Sequence, residues 1–326
     1  MALRSAAIAC FAIFACSAVG AAHAADEAKK CTLQRVASLD TDTSQGRLLI
    51  KVQIEGRDSW LAVDTGSPVG LISRAVVDEL KIPLRQAREG AIIDAAGQSA
   101  QHFVVVRKLN LNGMVAEDST FIVMGENGTG AMREDGIFGA NFLAAYDVEL
   151  DLAHHKMNLF TQDHCPGNVV YWTQDYVAVP FHLDASLHAT FDASLNDQPL
   201  RALLDTGASS TILSAQVARH RFDFDPVAAG TVPDGNLIAG GGELLPFYLH
   251  RFQSLTLGGV QFRNTEVKVM TDHMTRVMRD RAPKESSAME ETKETPLIVG
   301  LSHLARLRVY IAYGEQMVYF SAASAK

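Results

Sequence analysis

The feature that most restricts this chain is an internal repeat. Trp60-Leu61-Ala62-Val63-Asp64-Thr65-Gly66-Ser67, followed by Gly70-Leu71-Ile72-Ser73, returns as Leu200-Arg201-Ala202-Leu203-Leu204-Asp205-Thr206-Gly207-Ala208, followed by Thr211-Ile212-Leu213-Ser214. Asp205 lies 141 residues after Asp64. Self-similarity of this kind means that one supersecondary unit is built twice. Upstream of each copy an alternating strand pattern meets a turn: Leu48 to Ile54 before Glu55-Gly56-Arg57-Asp58, and Ala189 to Leu195 before Asn196-Asp197-Gln198-Pro199. Each half therefore reads as hairpin, apolar strand, Asp-Thr-Gly.

A second matched pair closes each half. Asp135-Gly136-Ile137-Phe138-Gly139-Ala140-Asn141-Phe142-Leu143 corresponds to Pro296-Leu297-Ile298-Val299-Gly300-Leu301-Ser302-His303-Leu304. Both lead through a short helical stretch into strand pairs, Val148 to Leu152 with Lys156 to Phe160 and Leu307 to Ala312 with Gln316 to Phe320. Gly139 and Gly300 are 161 residues apart, so the second half holds about 20 more residues between its markers. That insertion belongs at Thr271 to Thr295, where charge is dense and apolar periodicity fails. A lone Asp-Thr-Gly is expected by chance in roughly one chain of this length in twenty; two copies in matched surroundings are not coincidence. The pattern predicts an all-β fold, mainly antiparallel, with few short helices.

The repeated motifs resemble those of the aspartic peptidases, in which each of two lobes supplies one Asp-Thr-Gly and one hydrophobic-hydrophobic-Gly strand. The resemblance spans most of Leu48 to Phe320. Pro199-Leu200-Arg201-Ala202-Leu203-Leu204-Asp205-Thr206-Gly207-Ala208-Ser209 looks more like a retroviral-type protease monomer than a pepsin lobe, whereas Pro68 departs from the pepsin-like continuation. The resemblance implies two retropepsin-like lobes fused in tandem, with Asp64 and Asp205 as the catalytic pair. Thr65 and Thr206 match the threonines that hydrogen-bond across the lobe interface, and Gly66 and Gly207 match the tight turns. Ser67 follows the first motif and Ala208 the second. In the family a Ser or Thr at this place bonds the outer carboxylate oxygens and favours ionisation, so the Ala implies a mildly acidic optimum.

Elementary chemistry leads to the same pair. A strand ending in Asp-Thr-Gly presents a carboxylate on a sharp loop where Gly permits close backbone approach. Two such loops about a pseudo-twofold axis bring the carboxylates together, and like charges that close share one proton. The ionised member can take a proton from water while the protonated one polarises a carbonyl. This chemistry needs no cofactor or metal, and because both aspartates lie in one chain a monomer is sufficient. Candidate flap hairpins run from Gly90 to Val106, with a turn at Asp94-Ala95-Ala96-Gly97-Gln98, and from Asn236 to Tyr248, through Ala239-Gly240-Gly241-Gly242.

The first 24 residues, with Arg4, an apolar run from Ala6 to Val19 and Ala22-His23-Ala24, have the layout of a cleaved secretory signal. Free export, to the periplasm or beyond, fits better than a lipid anchor on Cys16, because Phe14 is bulky where such signals carry small residues. Processing leaves Cys31 and Cys165, and an oxidising compartment favours a disulfide between them over metal binding. The domain reading is then signal 1–24, tail 25–47, first lobe 48–165 and second lobe 166–326. No later stretch is apolar enough to cross a bilayer. A net charge of −8 disfavours nucleic acid as a partner. His154-His155 reads as a solvated turn. The expected partner is an extended peptide or protein substrate; the alternatives are a noncatalytic peptide-binding or scaffold protein of the same fold, and a processing enzyme with one target.

Overall fold

The computed structural model describes residues 32–87, 100–124, 134–228, 231–238, 244–272 and 297–323. The signal-like segment, Cys31, both hairpin tips (94–98 and 239–242) and nearly all of the charged insertion lie outside the described residues.

In the first half the strands are β1 (Arg35–Asp42), β2 (Leu49–Ile54), β3 (Arg57–Asp64), β4 (Leu71–Ser73), β5 (Arg85–Gln86), β6 (His102–Leu111), β7 (Met114–Met124), β8 (Gly136–Gly139), β9 (Asp147–Asp151) and β10 (Lys156–Phe160). Among the described residues they are interrupted by the α-helices α1 (Arg74–Leu80) and α2 (Ala140–Leu143) and by a short 3-10 turn at Leu152–His154. The second half repeats the order with β11 (Val177–Leu183), β12 (Ala189–Leu195), β13 (Gln198–Leu204), β14 (Ile212–Leu213), α3 (Ala215–Phe222), β15 (Pro233–Ile238), β16 (Leu244–Leu257), β17 (Val260–Met270), β18 (Leu297–Val299), α4 (Leu301–Leu304), β19 (Leu307–Ala312) and β20 (Met317–Ala322). The all-β expectation holds.

Alternation explains the strands. In β2, Ile50, Val52 and Ile54 are buried while Lys51 and Gln53 face out. In β3 the pattern gives way to consecutive burial at Leu61, Ala62 and Val63, because the strand is covered on both faces as it approaches Asp64. The hairpins β2/β3 and β12/β13 turn on Glu55-Gly56 and Asn196-Asp197, all four with positive φ. That backbone matches the right-handed twist of the flanking strands. The repeated Ser that ends β4 and follows β14 caps a helix: Ser73 Oγ accepts from Val76 N–H and Ser214 Oγ from Val217 N–H, both at 3.3 Å.

Strand pairing closes each half into a six-stranded barrel. The circuit β2–β3–β8–β4–β7–β6 returns to β2, and β12–β13–β18–β14–β17–β16 returns to β12. In both, the strand carrying the aspartate runs parallel to its neighbour (β3 with β8, β13 with β18), while the strand after the aspartate returns antiparallel on that neighbour's other side. The chain leaving Asp64 or Asp205 must therefore cross the end of the intervening strand, which is why a sharp loop stands there.

A further antiparallel sheet, β1–β10–β9–β19–β20–β11, joins the halves. Its central seam pairs Leu150 with Val309, Glu149 with Tyr310 and Val148 with Ile311. The seam carries a buried ion cluster. Arg308 donates to Glu149 Oε1 at 2.8 and 2.6 Å, reaches Asp151 at 3.0 Å and stacks over Trp172. The Glu149 side chain is fully buried. Residues 35–42, placed in a tail by the sequence reading, form β1. Ala37, Leu39 and Thr41 point inward, and the strand leaves β10 to join β2, just as β11 leaves β20 to join β12.

Candidate active site

Asp64 ends β3 and Asp205 follows β13, each on the loop that its barrel's topology demands. The structure brings the two together: each carboxyl stands against the glycine of the opposite loop and acts on the other's proton affinity. Each carboxylate is also held by its own loop. Asp64 Oδ1 accepts from Gly66 N–H at 2.9 Å, and Asp205 Oδ1 accepts from Gly207 N–H at 2.8 Å and Ala208 N–H at 3.1 Å. Both residues keep a solvent-facing surface although protein crowds their carboxylates.

The threonines lock the loops reciprocally. Thr65 Oγ donates to Leu204 carbonyl at 2.7 Å and accepts from Thr206 N–H at 3.0 Å; Thr206 Oγ donates to Val63 carbonyl at 2.8 Å and accepts from Thr65 N–H at 3.1 Å. All four bonds are buried and cross between the halves, so each satisfies a polar group that water cannot reach. The glycines are required by the opposite aspartate. A Cβ on Gly66 would stand 2.7 Å from the Asp205 carboxyl carbon, and one on Gly207 would stand 2.2 Å from that of Asp64. Behind the loops, a Cβ on Gly139 or Gly300 would strike the carbonyl of Val69 or Ser210. This close approach is why the downstream markers end in Gly.

Proton affinities rise at both carboxyls, for different balances of causes. Burial raises Asp64, opposed by the Gly66 and Ser67 N–H groups and by the charge of Arg47. Asp205 is pushed up to about 7, first by burial and then by the charge of Asp64, against the N–H groups of Ala208 and Gly207. Below about pH 7 the pair therefore retains a proton, and its titration belongs to both groups together. Ser67 departs from expectation. Its hydroxyl donates to the Val69 carbonyl at 2.9 Å, so it serves the turn rather than the carboxylate.

Two residues beside the loops escaped the motif reading. Arg47 pairs with the buried Glu134 at 2.7 Å, and His188 reaches the Gly66 carbonyl at 3.0 Å from the opposite half. The signal that could have found them is the repeat itself, since Arg47 and His188 are also 141 residues apart. Among the described residues no cluster of three or more His, Cys, Asp or Glu is placed to hold a metal, and no helix is long and apolar enough to cross a membrane. His154 binds Asp151 at 2.7 Å within a surface turn.

A family model described as aspartyl protease matches residues 50–142 and 191–286, more than half of the chain and once per barrel. The chain belongs to the aspartyl protease family. No curated protein sequence matches it. Among solved structures, this family member aligns with the aspartic proteinase from Irpex lacteus at 13% identity and a TM-score of 0.53, covering 88% of this chain and 97% of that one. It aligns with Basic 7S globulin from soybean at 11% identity and a TM-score of 0.50, covering 90% and 98%. At these identities the likeness is one of fold, and one of the two proteins is named a globulin. Chemistry has to be argued from the aspartyl protease chain's own site.

Proposed function

We propose that the chain is an aspartic endopeptidase in which Asp64 and Asp205 activate one water for attack on a peptide bond. The observation that carries this reading is the placement of two carboxyls on facing loops, each held by N–H donation from its own loop, in surroundings that raise the proton affinity of both. Asp64, with Arg47 nearby, takes the role of base. It accepts a proton from water as the hydroxide adds to the scissile carbonyl carbon, while Asp205 gives its proton to the carbonyl oxygen. The tetrahedral diol then collapses: the C–N bond breaks, the leaving nitrogen takes the proton held by Asp64, and Asp205 regains its own. Extended substrates suit a site between two barrels.

Export, removal of residues 1–24 and a Cys31–Cys165 disulfide belong to the same reading. Cys165 is a disulfide-bonded cysteine rather than a titrating thiol, which supports the link. The contrasting reading is a noncatalytic peptide binder or scaffold protein of the same fold, since fold alone does not fix chemistry. The deciding experiment is digestion of a mixed peptide library from pH 3 to 8, with products identified by mass spectrometry, by mature protein and by Asp64→Asn and Asp205→Asn variants. Cleavage lost in both variants, with a mildly acidic optimum, is the expected result; an optimum below about pH 3 contradicts a pair with raised proton affinity. Folded protein that cuts nothing favours the binder, and a single cut site favours a processing enzyme.

A further inference from the structure

Resting on the peptidase reading, we propose that Arg47 is a specificity-determining residue whose guanidinium takes a substrate carboxylate on one side of the scissile bond, so that the site prefers acidic peptides. The residue stands where the two halves meet at the aspartates. Its predecessor Gly46 lies against the loop of Asp205, since a Cβ there would be 4.0 Å from that of Ser209. Its successor Leu48 accepts from the N–H of Val63 at 2.8 Å, one residue before Asp64. Arg47 is thus anchored by its neighbours on both sides, and its positive charge reaches Asp64.

The guanidinium is fixed at one end and open at the other. Nε is buried and stands 2.7 Å from Oε1 of Glu134, whose side chain is 6% exposed. The two Nη groups meet no acceptor among the described residues, although 37% of the Arg47 side chain is exposed. A guanidinium stays charged at every working pH, and its N–H donors lie in one plane. With Nε engaged, parallel N–H bonds from the Nη end match the two oxygens of a carboxylate. Glu134 takes away some of the positive potential, but it also holds the long side chain in place, which removes the ordering cost that makes exposed ion pairs weak. The other half offers no equivalent. His188 occupies the matching place 141 residues on, and both of its ring nitrogens are engaged, Nε2 at 3.0 Å from the Gly66 carbonyl oxygen and Nδ1 at 3.2 Å from Asp184 Oδ2. A site with near twofold symmetry thus has one end with open donors for a carboxylate, which gives an extended acidic peptide a direction in which to lie. An Asp or Glu side chain and a free C-terminus present the same pair of oxygens.

The test uses full-length mature protein and a peptide that it cuts, remade with Glu or Gln at each position flanking the cut and with its C-terminus as free acid or amide. On one side of the cut only, kcat/KM should be about 5-fold or more higher for Glu than for Gln, chiefly through KM. The ratio cancels any effect of Arg47 on Asp64. It should shrink towards one as pH falls from 6 to 3.5, because a Glu carboxyl protonates near about 4.3. It should collapse in Arg47→Gln and survive in part in Arg47→Lys. A preference for free acid over amide that is lost in Arg47→Gln supports the same contact, with the terminal carboxylate as its source. Equal rates for every pair, or a ratio unchanged in folded Arg47→Gln, overturn the proposal. Unfolding of both variants overturns it too, by making Arg47 a residue of the fold alone. Cleavage without acid preference leaves the peptidase reading standing. If the parent cuts nothing, that reading falls, and fluorescence anisotropy of labelled Glu and Gln peptides decides the contact: tighter binding of the Glu peptide that is lost in Arg47→Gln keeps it, and equal binding removes it.

Discussion

His303 should make this fold lose stability in acid, by an amount the structure sets. The residue lies on α4, directly behind the loop of Asp205, and is 2% exposed. Thr211 Oγ meets its Nδ1 at 2.7 Å, Thr265 Oγ meets its Nε2, and Phe262 stands edge-on to the ring. Burial, with a smaller contribution from the charge of Arg306, lowers its pKa from 6.5 to about 4. The folded protein therefore keeps the ring neutral where the unfolded chain protonates it. The unfolded state binds the extra proton, so this contribution is intact above about pH 6.5 and is lost as pH falls towards 4. At about 1.4 kcal/mol per pH unit, the loss between pH 7 and pH 4 is about 3 kcal/mol. Urea unfolding of the parent and of His303→Gln at pH 4, 5, 6 and 7 isolates it, because the aspartates titrate in both proteins and cancel in the difference. The variant's deficit at pH 7 should shrink by about 3 kcal/mol at pH 4. Parallel stability profiles would refute the reasoning.

Three further perturbations follow from the geometry. Thr206→Val strands the Thr65 N–H and the Val63 carbonyl in a buried place, and should cost about 2 to 4 kcal/mol in chemical denaturation; a loss below about 0.5 kcal/mol would show that the threonine lattice does not brace the halves. Gly207→Ala drives a methyl into the Asp64 carboxyl, so any peptidase activity should fall about 100-fold or more while circular dichroism stays native; retained turnover contradicts the requirement for two carboxyls in contact. Arg308→Met leaves the Glu149 charge buried without its cation, held only by the Asn158 amide and the Tyr171 hydroxyl, and should cost about 3 to 5 kcal/mol, most of it recovered when Glu149→Leu is added; equal loss in single and double variants would assign the cost to packing.

The part of the fold visible in sequence is the part written twice. Asp64 and Asp205, their threonines and glycines, the hairpins before them and the Gly-ending strands after them repeat at fixed spacing, and spacing is what a sequence displays directly. β1 was less visible because its inward residues, Ala37, Leu39 and Thr41, include only one large apolar side chain. Its place becomes readable when the 141-residue period is carried upstream, since Asp42 then aligns with Leu183 at the end of β11. The Arg308–Glu149 cluster joins residues 159 apart that no period relates, and only the β9–β19 register brings them together. Ser67 shows a different gap: residue type announces a hydroxyl, but the local turn decides that it bonds Val69 rather than Asp64.

The sheet that crosses from one barrel to the other also decides how the molecule comes apart. Neither barrel can melt first without exposing the backbone edge at the β9–β19 seam, releasing the Arg308 charge cluster and stripping the threonine lattice of half its partners. Each of those steps costs about as much as a sizeable fraction of a domain's whole stability. A single heat-absorption peak is the natural consequence. Heat then yields no long-lived species with one intact barrel and a lone aspartate, and the paired carboxyls persist until the whole chain unfolds.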